Sequence, residues 1–302
     1  MTLENIKSGF IGIIGRPNVG KSTLLNTLLE KKVAIVTNKA QTTRNRINGI
    51  LTKPDCQYVF VDTPGVHKAQ NELDRYMNKV ALQATKGVDV ILFLAPSDEY
   101  IGDNDRFILN SLKERDVPVF LIITKCDAVK PEILDQKIRE WKQLEHDFLD
   151  VISISSTHNL NLDVLLEKIK EQLPETGFKF YPDEQYTDQP ERFLIREVIR
   201  EEILLQTEQE VPHSVAILID KFEEKKDIIR VIASIVCERS SQKGIIIGNK
   251  GTKIKQIGIE TRKKLEAIFS KQFYLELFVK TKEKWRQSAS LIKQLGYDKD
   301  SY

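Results

Sequence analysis

Residues Gly15, Asn18, Val19, Gly20, Lys21, Ser22 and Thr23 lie in the run GRPNVGKST, which fits the pattern G-x-x-x-x-G-K-[ST]. Each part of that pattern has a task at a phosphate. The two glycines let the backbone curl, so that successive N–H groups converge on phosphate oxygens. Lys21 brings a positive charge to β- and γ-phosphates, and the Ser22 hydroxyl is a hard ligand for Mg2+. The pattern predicts a nucleoside triphosphate site when a strand precedes it and a helix follows. FIGIIG at 10–15 and the helical stretch at 21–30 supply both.

Three later stretches bear on which nucleotide is bound. VFVDTPG at 59–65 puts Asp62 at the end of an apolar strand, where its carboxylate can hold Mg2+ through water, and Gly65 can offer its N–H to a γ-phosphate. QTTR at 41–44 carries Thr43 on a connecting segment that can reach the same ion. TKCD at 124–127 ends another strand, where Asp127 can accept two hydrogen bonds from N1 and N2 of guanine, with the Lys125 stem along the base. Adenine lacks that donor pair and would leave the carboxylate unpaired, a mismatch that discriminates by roughly 10⁴-fold at comparable sites.

In this order, Gly15–Ser22, Thr43, Asp62–Gly65, Thr124–Asp127 and Ser155–Ser156 resemble the motif series of translation-factor-type GTPases. The resemblance implies GTP and GDP as ligands and Ser22, Thr43 and Asp62 around Mg2+. It assigns catalytic roles to Lys21, Thr43 and Gly65. Thr124 stands where asparagine is usual and Ser156 where alanine is usual; the first change is expected to weaken a bridge to the phosphate loop. Val66 follows Asp-Thr-Pro-Gly, where Ras-like relatives carry a glutamine that orients water. Valine has no such ability, so slow intrinsic turnover is expected, with the missing positioning supplied by another group. One candidate is K+, because the resemblance places Asn18 where potassium-assisted relatives hold that ion; the equal alternative is an Asn18 that caps a turn. Cys126 reads as a small filler, and His67 as a loop residue in preference to a general base.

A second glycine loop, GNKG at 248–251, is too short to wrap a triphosphate. With Ile246 and Ile247 before it and Ile254 after it, the loop matches the I-I-G-x-x-G-x-x-I of a KH module, whose GxxG loop clamps about four nucleotides of single-stranded backbone. Ile247, Gly248, Asn249, Lys250, Gly251, Lys253 and Lys255 are the candidate RNA contacts, and Ile246, Ile247 and Ile254 are expected to floor a groove for bases. Charge points the same way. Residues 1–175 hold 23 basic and 24 acidic side chains, whereas 225–286 hold 16 and 6, a net of +10 that favours a polyanion.

Apolar runs at 10–15, 58–62, 88–95, 117–124 and 150–155 alternate with helical patterns at 21–30, 72–86, 103–115, 131–146 and 159–173. Such spacing predicts βαβ units, a mostly parallel sheet and an α/β fold over residues 1–173, with 42–51 leading into an edge strand. Residues 174–190 hold three prolines without periodicity and are expected to form a linker. A smaller α+β unit is expected over 191–302, in the outline order α-β-β-α-β: a helix at 191–206, strands at 214–220, 228–236 and 274–280, the helix after the glycine loop, and a last helix at 284–295. That order fits a type II KH domain.

Nearly the whole chain resembles the Era family of ribosome-assembly GTPases: QTTRNRINGI, DTPGVHK, RFLIREVIREEIL, IIIGNKGTKIKQIGIETRKKLE, YLELFVK and the late LGY all fit its pattern. The resemblance implies binding near the 3′ end of 16S rRNA during maturation of the 30S subunit, and peripheral membrane association. GTP is expected to order the segments around Thr43 and Gly65 through γ-phosphate and Mg2+, and with the KH domain tethered through 174–190 the RNA grip is expected to follow the nucleotide; the chain is expected to act as a monomer. For the amphipathic helices, packing within the domain is the favoured reading. Composition sets outer bounds. Apolar content of 41% and charged content of 30% are those of an ordinary globular chain. Three scattered cysteines indicate neither a disulfide framework nor a zinc site, which fits the cytosol. Two other classes stay open: an RNA-binding scaffold with a structural nucleotide site, which would show no turnover, and a P-loop kinase or ATPase, which Asp127 opposes.

Overall fold

The computed structural model describes residues 6–113, 115–144 and 146–297. The outermost ends of the two expected domains, and one residue in each of the expected helices 103–115 and 131–146, lie outside them. Two compact units emerge. The first holds residues up to Ala34, 43–69 and 77–188; the second holds 35–42, 70–76 and 189 onward.

The first unit is built on a six-stranded sheet. Its strands are β1 (Lys7–Gly15), β2 (Ile47–Lys53), β3 (Cys56–Asp62), β4 (Val90–Pro96), β5 (Val119–Thr124) and β6 (Asp150–Ser153), in the order β2-β3-β1-β4-β5-β6. All neighbours are parallel except β2, which pairs antiparallel with β3 at the edge. Strands β3, β4 and β5 are buried at every position. Burial on both faces is why they read as continuous apolar runs without alternation. Helices α1 (Lys21–Leu29), α2 (Glu72–Gln83), α3 (Asp103–Leu112), α4 (Pro131–Lys142) and α5 (Leu162–Gln172) make the connections. This topology gathers Gly15, Asp62, Thr124 and Ser155 at or just past the carboxyl ends of parallel strands, the edge at which open α/β sheets place their ligands.

Residues 174–190 form no helix or strand, yet they are not a loose tether. Glu175 bridges Lys7 and Thr187 bridges Gly49. Ile50 N–H donates to the Tyr186 carbonyl at 2.9 Å, and the Gln57 side chain exchanges two 2.9 Å bonds with the backbone of Tyr181. The segment covers the outer edge of β2, which would otherwise present unpaired backbone groups.

The second unit runs α6 (Glu191–Gln206), α7 (Val211–Ser214), β7 (Ala216–Glu224), β8 (Ile228–Cys237), α8 (Ser240–Ile247), α9 (Thr252–Phe269), β9 (Gln272–Thr281) and α10 (Ala289–Gln294). Its sheet has the order β7-β8-β9, antiparallel then parallel. Ile195, Ile199 and Ile203 of α6 pack with Ile257 and Leu265 of α9 over Val231 and Ile235. Helix α8 was not anticipated, because Gly244 interrupts its pattern. Its N-terminus is nevertheless capped: Gln242 Oε1 accepts from the backbone N–H groups of Glu238 and Arg239 at 2.9 and 3.0 Å. The single helix expected at 284–295 is split into a short 3₁₀ turn at Trp285–Gln287 and α10, where Ser288 caps a fresh start by accepting from Leu291 N–H.

Two segments that flank the candidate nucleotide motifs belong to this second unit. Residue Leu73 joins Trp285, Leu295 and Tyr297 in a buried cluster. The carbonyls of Gln41 and Thr42, directly before Thr43, accept from the guanidinium of the fully buried Arg200, which also pairs with Glu197. Glu201 accepts from Val36 N–H at 3.2 Å and from Lys264 of α9 at 3.0 Å. Arg200→Met removes the donor for two carbonyls and half of a buried ion pair. Glu197 keeps Arg196 at 3.6 Å, so a loss of about 3 kcal/mol is expected, at the low end for breaking such a pair. Urea unfolding measures it, and an Arg200→Met/Glu197→Leu double variant is expected to recover most of the loss.

Candidate functional site

The phosphate loop leaves β1 at Gly15, whose missing Cβ matters: an added one would lie 2.6 Å from the Leu94 carbonyl oxygen. Asn18 is exposed and left-handed at φ 63°, and Gly20 has φ 98° just before α1. Val19 is fully buried, so the loop is anchored from beneath. Lys21 Nζ folds back to the carbonyls of Gly15 and Arg16, at 3.1 and 2.6 Å. Thr23 lies half-buried in the first turn of α1.

Beside the loop, the Ser22 hydroxyl donates to Asp62 Oδ2 at 2.7 Å and lies 2.7 Å from the Thr43 hydroxyl. Asp62 Oδ1 is buried and has no hydrogen-bond partner among the described residues. Two hydroxyls and one carboxylate, one of whose oxygens is orphaned, form a hard-oxygen set that fits Mg2+, which takes few protein ligands and completes its shell with water and phosphate. Among the described residues there is no cluster of three or more His, Cys, Asp or Glu that could hold a metal by itself. Gly65 packs against the phosphate loop so closely that a Cβ there would meet Pro17 N at 2.5 Å. Val66 is fully buried in the core, and its N–H donates to the Gly15 carbonyl. Next to it, His67 turns Nδ1 to the Gly65 carbonyl at 3.1 Å.

Burial sets the electrostatics. Lys21 falls to a pKa of about 8, chiefly through desolvation, with Asp62 opposing the change. Asp62 rises to about 6 for the same first reason, with Ser22 and then Lys21 opposing. Because the folded Asp62 binds its proton more tightly than the unfolded one, stability drains away as pH rises from about 4 through 6 and stays lost above. The displacement, about two pH units, corresponds to about 3 kcal/mol. Asp62→Asn keeps an acceptor for Ser22 without that charge. In metal-free protein it is expected to unfold at higher urea than the wild type. The gap should open between pH 4 and pH 7, while Mg2+-dependent nucleotide binding is lost.

The residues expected to recognise the base lie at the ends of β5 and β6. The Thr124 hydroxyl donates to the Val19 carbonyl at 2.7 Å. The bridge to the phosphate loop that the asparagine-to-threonine change was expected to weaken is thus made by one short, buried bond. Lys125 is left-handed at φ 54° and its ammonium faces Asp98 at 3.4 Å. The Ser155 hydroxyl, foremost, holds the Asp127 carboxyl below the usual carboxylate range. Ser156 is half-buried next to it in the chain, and Cys126 is a free thiol whose pKa burial pushes up.

In the second unit the turn between α8 and α9 is left-handed at Gly248, Lys250 and Gly251, with φ of 73°, 47° and 78°. The two glycines differ. A Cβ on Gly248 would come within 2.7 Å of Lys253 Cβ, whereas nothing lies within 4 Å of one on Gly251. The first is needed for packing; the second leaves open space above the turn. Asn249, Lys250 and Lys255 are exposed; Ile247 and Lys253 are half-buried. Of the three isoleucines expected to floor a groove only Ile254 does so: Ile246 is fully buried in the core, because α8 turns that face toward the sheet, and Ile247, half-buried at the end of α8, does not line it. The observed groove, of about 380 Å³, is lined by Ile254, Lys255, Gly258, Ile259, Leu275 and Leu277 among others. The last four were missed. Gly258, an isolated glycine inside a helical pattern, was the available signal. A wider cleft of about 910 Å³ shares Arg262, Phe273 and Tyr274 with this groove and adds Lys226 and Lys271.

A phosphate-cradling loop with a guanine-type carboxylate on one unit, and a GxxG turn leading into a helix that lines a groove of mixed polarity on the other, define a GTPase carrying a KH domain. Residues 10–125 match the family described as "50S ribosome-binding GTPase", and 210–286 match the KH domain family. A crystal structure of Era with MgGDPNP and nucleotides 1506–1542 of 16S ribosomal RNA is 36% identical, covers 97% of this chain and 99% of its own, and superposes with a TM-score of 0.93. A variant of Aquifex aeolicus Era bound to GDP and AlF4⁻ is 34% identical over the same shares, with a TM-score of 0.92. The chain belongs to the Era family.

Proposed function

We propose that this chain is a Mg2+-dependent GTPase that grips the 3′ end of 16S rRNA during maturation of the 30S subunit, and that its nucleotide state sets its hold on the RNA. The observation that carries the reading is the Era complex holding both MgGDPNP and nucleotides 1506–1542 of 16S rRNA, joined to a chain that presents a matching pair of sites. Gly15, Asn18, Val19, Gly20, Lys21, Ser22 and Thr23 surround the phosphates. Ser22, Thr43 and Asp62 hold Mg2+, which neutralises charge on the phosphate oxygens. Thr124, Lys125, Asp127, Ser155 and Ser156 form the guanine site. Ile247, Gly248, Asn249, Lys250, Gly251, Lys253 and Lys255 meet the RNA strand.

For turnover, Lys21 stabilises charge developing on the γ-phosphate, while Thr43 and the Gly65 N–H close over it. Val66 points into the core and contributes nothing to the attacking water, so intrinsic hydrolysis is slow. Asn18, exposed on the loop, is the candidate K+ ligand; equal rates in K+ and Na+ would remove it from that role. Residue Thr43 follows directly on the carbonyls held by Arg200, so a γ-phosphate that draws on Thr43 pulls on a segment packed with the KH unit. The cytoplasm is the compartment this function requires, with the chain acting as a monomer. No helix among the described residues is long and apolar enough to cross a membrane. Peripheral membrane contact rests on the family resemblance alone, and liposome flotation tests it.

Crosslinking in cells followed by RNA sequencing tests the RNA assignment. Reads are expected to pile up at the 3′ end of 16S rRNA and to vanish in a Gly251→Asp strain. Reads spread evenly over cellular RNA would sink it. Identical RNA affinity with a GTP analogue and with GDP would refute the nucleotide control.

A further inference from the structure

Residue His158 lies in the loop after β6 and has no part in the motif series. Its Nδ1 sits 3.3 Å from Asp127 Oδ2 and 3.2 Å from the hydroxyls of Ser155 and Thr157, either of which can turn its proton elsewhere. The loop that presents it is firmly built. Ser155 and Leu160 exchange two backbone bonds of 3.3 and 2.9 Å, and Asn161 Nδ2 donates to the Ser153 carbonyl at 2.7 Å. The His158 N–H itself donates to Ser155 Oγ at 3.3 Å. Asn159 and Asn161 are left-handed, at φ 53° and 58°, so the turn closes tightly on itself. Asparagine tolerates that conformation better than most residues.

A bidentate contact to guanine requires the carboxylate plane to lie in the plane of the base. A carboxylate at the surface, free to turn about its last bond, loses that orientation for much of the time. Ser155 and His158 both approach Asp127 from the loop after β6. The Oδ2 atom has two lone pairs, so it can accept from His158 and from the guanine edge together. We propose that His158 is a positioning residue for guanine selection: its Nδ1–H holds Asp127 Oδ2 in the orientation that receives the base. This inference rests on the assignment of Asp127 to guanine made above.

The test compares GDP with IDP, which keeps N1–H but lacks the N2 amine, in titrations of the full-length protein at one pH. His158→Ala is expected to weaken GDP about fivefold to tenfold, the worth of an ordinary hydrogen bond at an exposed side chain, and IDP less than twofold. His158→Asn, which places an amide donor at the same distance from the backbone, is expected to restore most of the GDP affinity. A purely structural role would lower both nucleotides alike, and that result, or no change in either, overturns the proposal. Failure of the Asn variant to rescue would overturn the donor role. The wild type separates the two layers: if it binds GDP and IDP equally, the guanine assignment of Asp127 fails and this inference with it, whereas a wild-type preference for GDP that survives His158→Ala removes His158 alone.

Discussion

Asp127→Asn is expected to trade guanine for xanthine, lowering GDP affinity by roughly 10³-fold or more and raising XDP affinity toward the wild-type GDP value. The asparagine keeps one acceptor, which still meets N1–H of either base. Its amide donor then faces the second position, where guanine carries an amine and xanthine a carbonyl oxygen. Donor against donor leaves two polar groups unpaired as the site loses water, which is the situation that yields the largest discriminations in binding pockets. The wild-type carboxyl is suited to the opposite task. It is held below the usual carboxylate range by Ser155 first, so it is ionised, and accepts only, throughout the neutral range. Titration with fluorescent GDP and XDP in the presence of Mg2+ measures the exchange. A variant that still prefers GDP would remove Asp127 as the selecting residue.

How much of this was legible beforehand depends on whether a feature is local. Strand ends carry the phosphate loop, Asp62 and Asp127, and each could be read because a continuous apolar run stops where a polar motif starts; the parallel sheet then had to bring them to one edge. The fate of Ile246 could not be read so simply. It precedes the GxxG turn as Ile247 does, but α8 points one residue at the core and leaves the other half-buried. Deciding between them requires the helix that Gly244 concealed. Leu275 and Leu277 belong to a strand remote in sequence from the turn, and only the packing of α9 against β9 makes them part of the groove that Ile254 lines. The placing of segments 35–42 and 70–76 with the KH unit was equally out of reach. Arg200 looks like one more charge on an amphipathic helix until its guanidinium is found fully buried on two carbonyls. Thr124 could be read only in part: the residue type announces a changed bridge to the phosphate loop, and the short bond to the Val19 carbonyl shows which backbone group takes it.

Gly251→Asp is expected to abolish specific RNA binding, at least about 100-fold in affinity, with the fold and the GTPase site intact. The two halves of that expectation come from the same observation. Gly251 sits at φ 78° with no atom within 4 Å of a prospective Cβ. Aspartate is among the few residues that enter the left-handed region at modest cost, and the open space accepts its side chain, so unfolding is not expected. That space is where a sugar-phosphate backbone must come close if the turn is to clamp it. A carboxylate there adds like charge beside each phosphate and fills the gap, amid a segment whose net +10 over 225–286 otherwise attracts the polymer. Gly248 is a poor choice for the same purpose, since even an alanine would press on Lys253 Cβ at 2.7 Å and disturb the turn itself. Two measurements decide the matter: binding of a single-stranded oligonucleotide carrying the 3′ terminal sequence of 16S rRNA, at fixed salt, and thermal unfolding with GDP affinity as the control. Retained RNA affinity in a stably folded Gly251→Asp protein would show that the strand lies elsewhere than over this turn, and Lys250 and Lys253 would then lose their assignment with it.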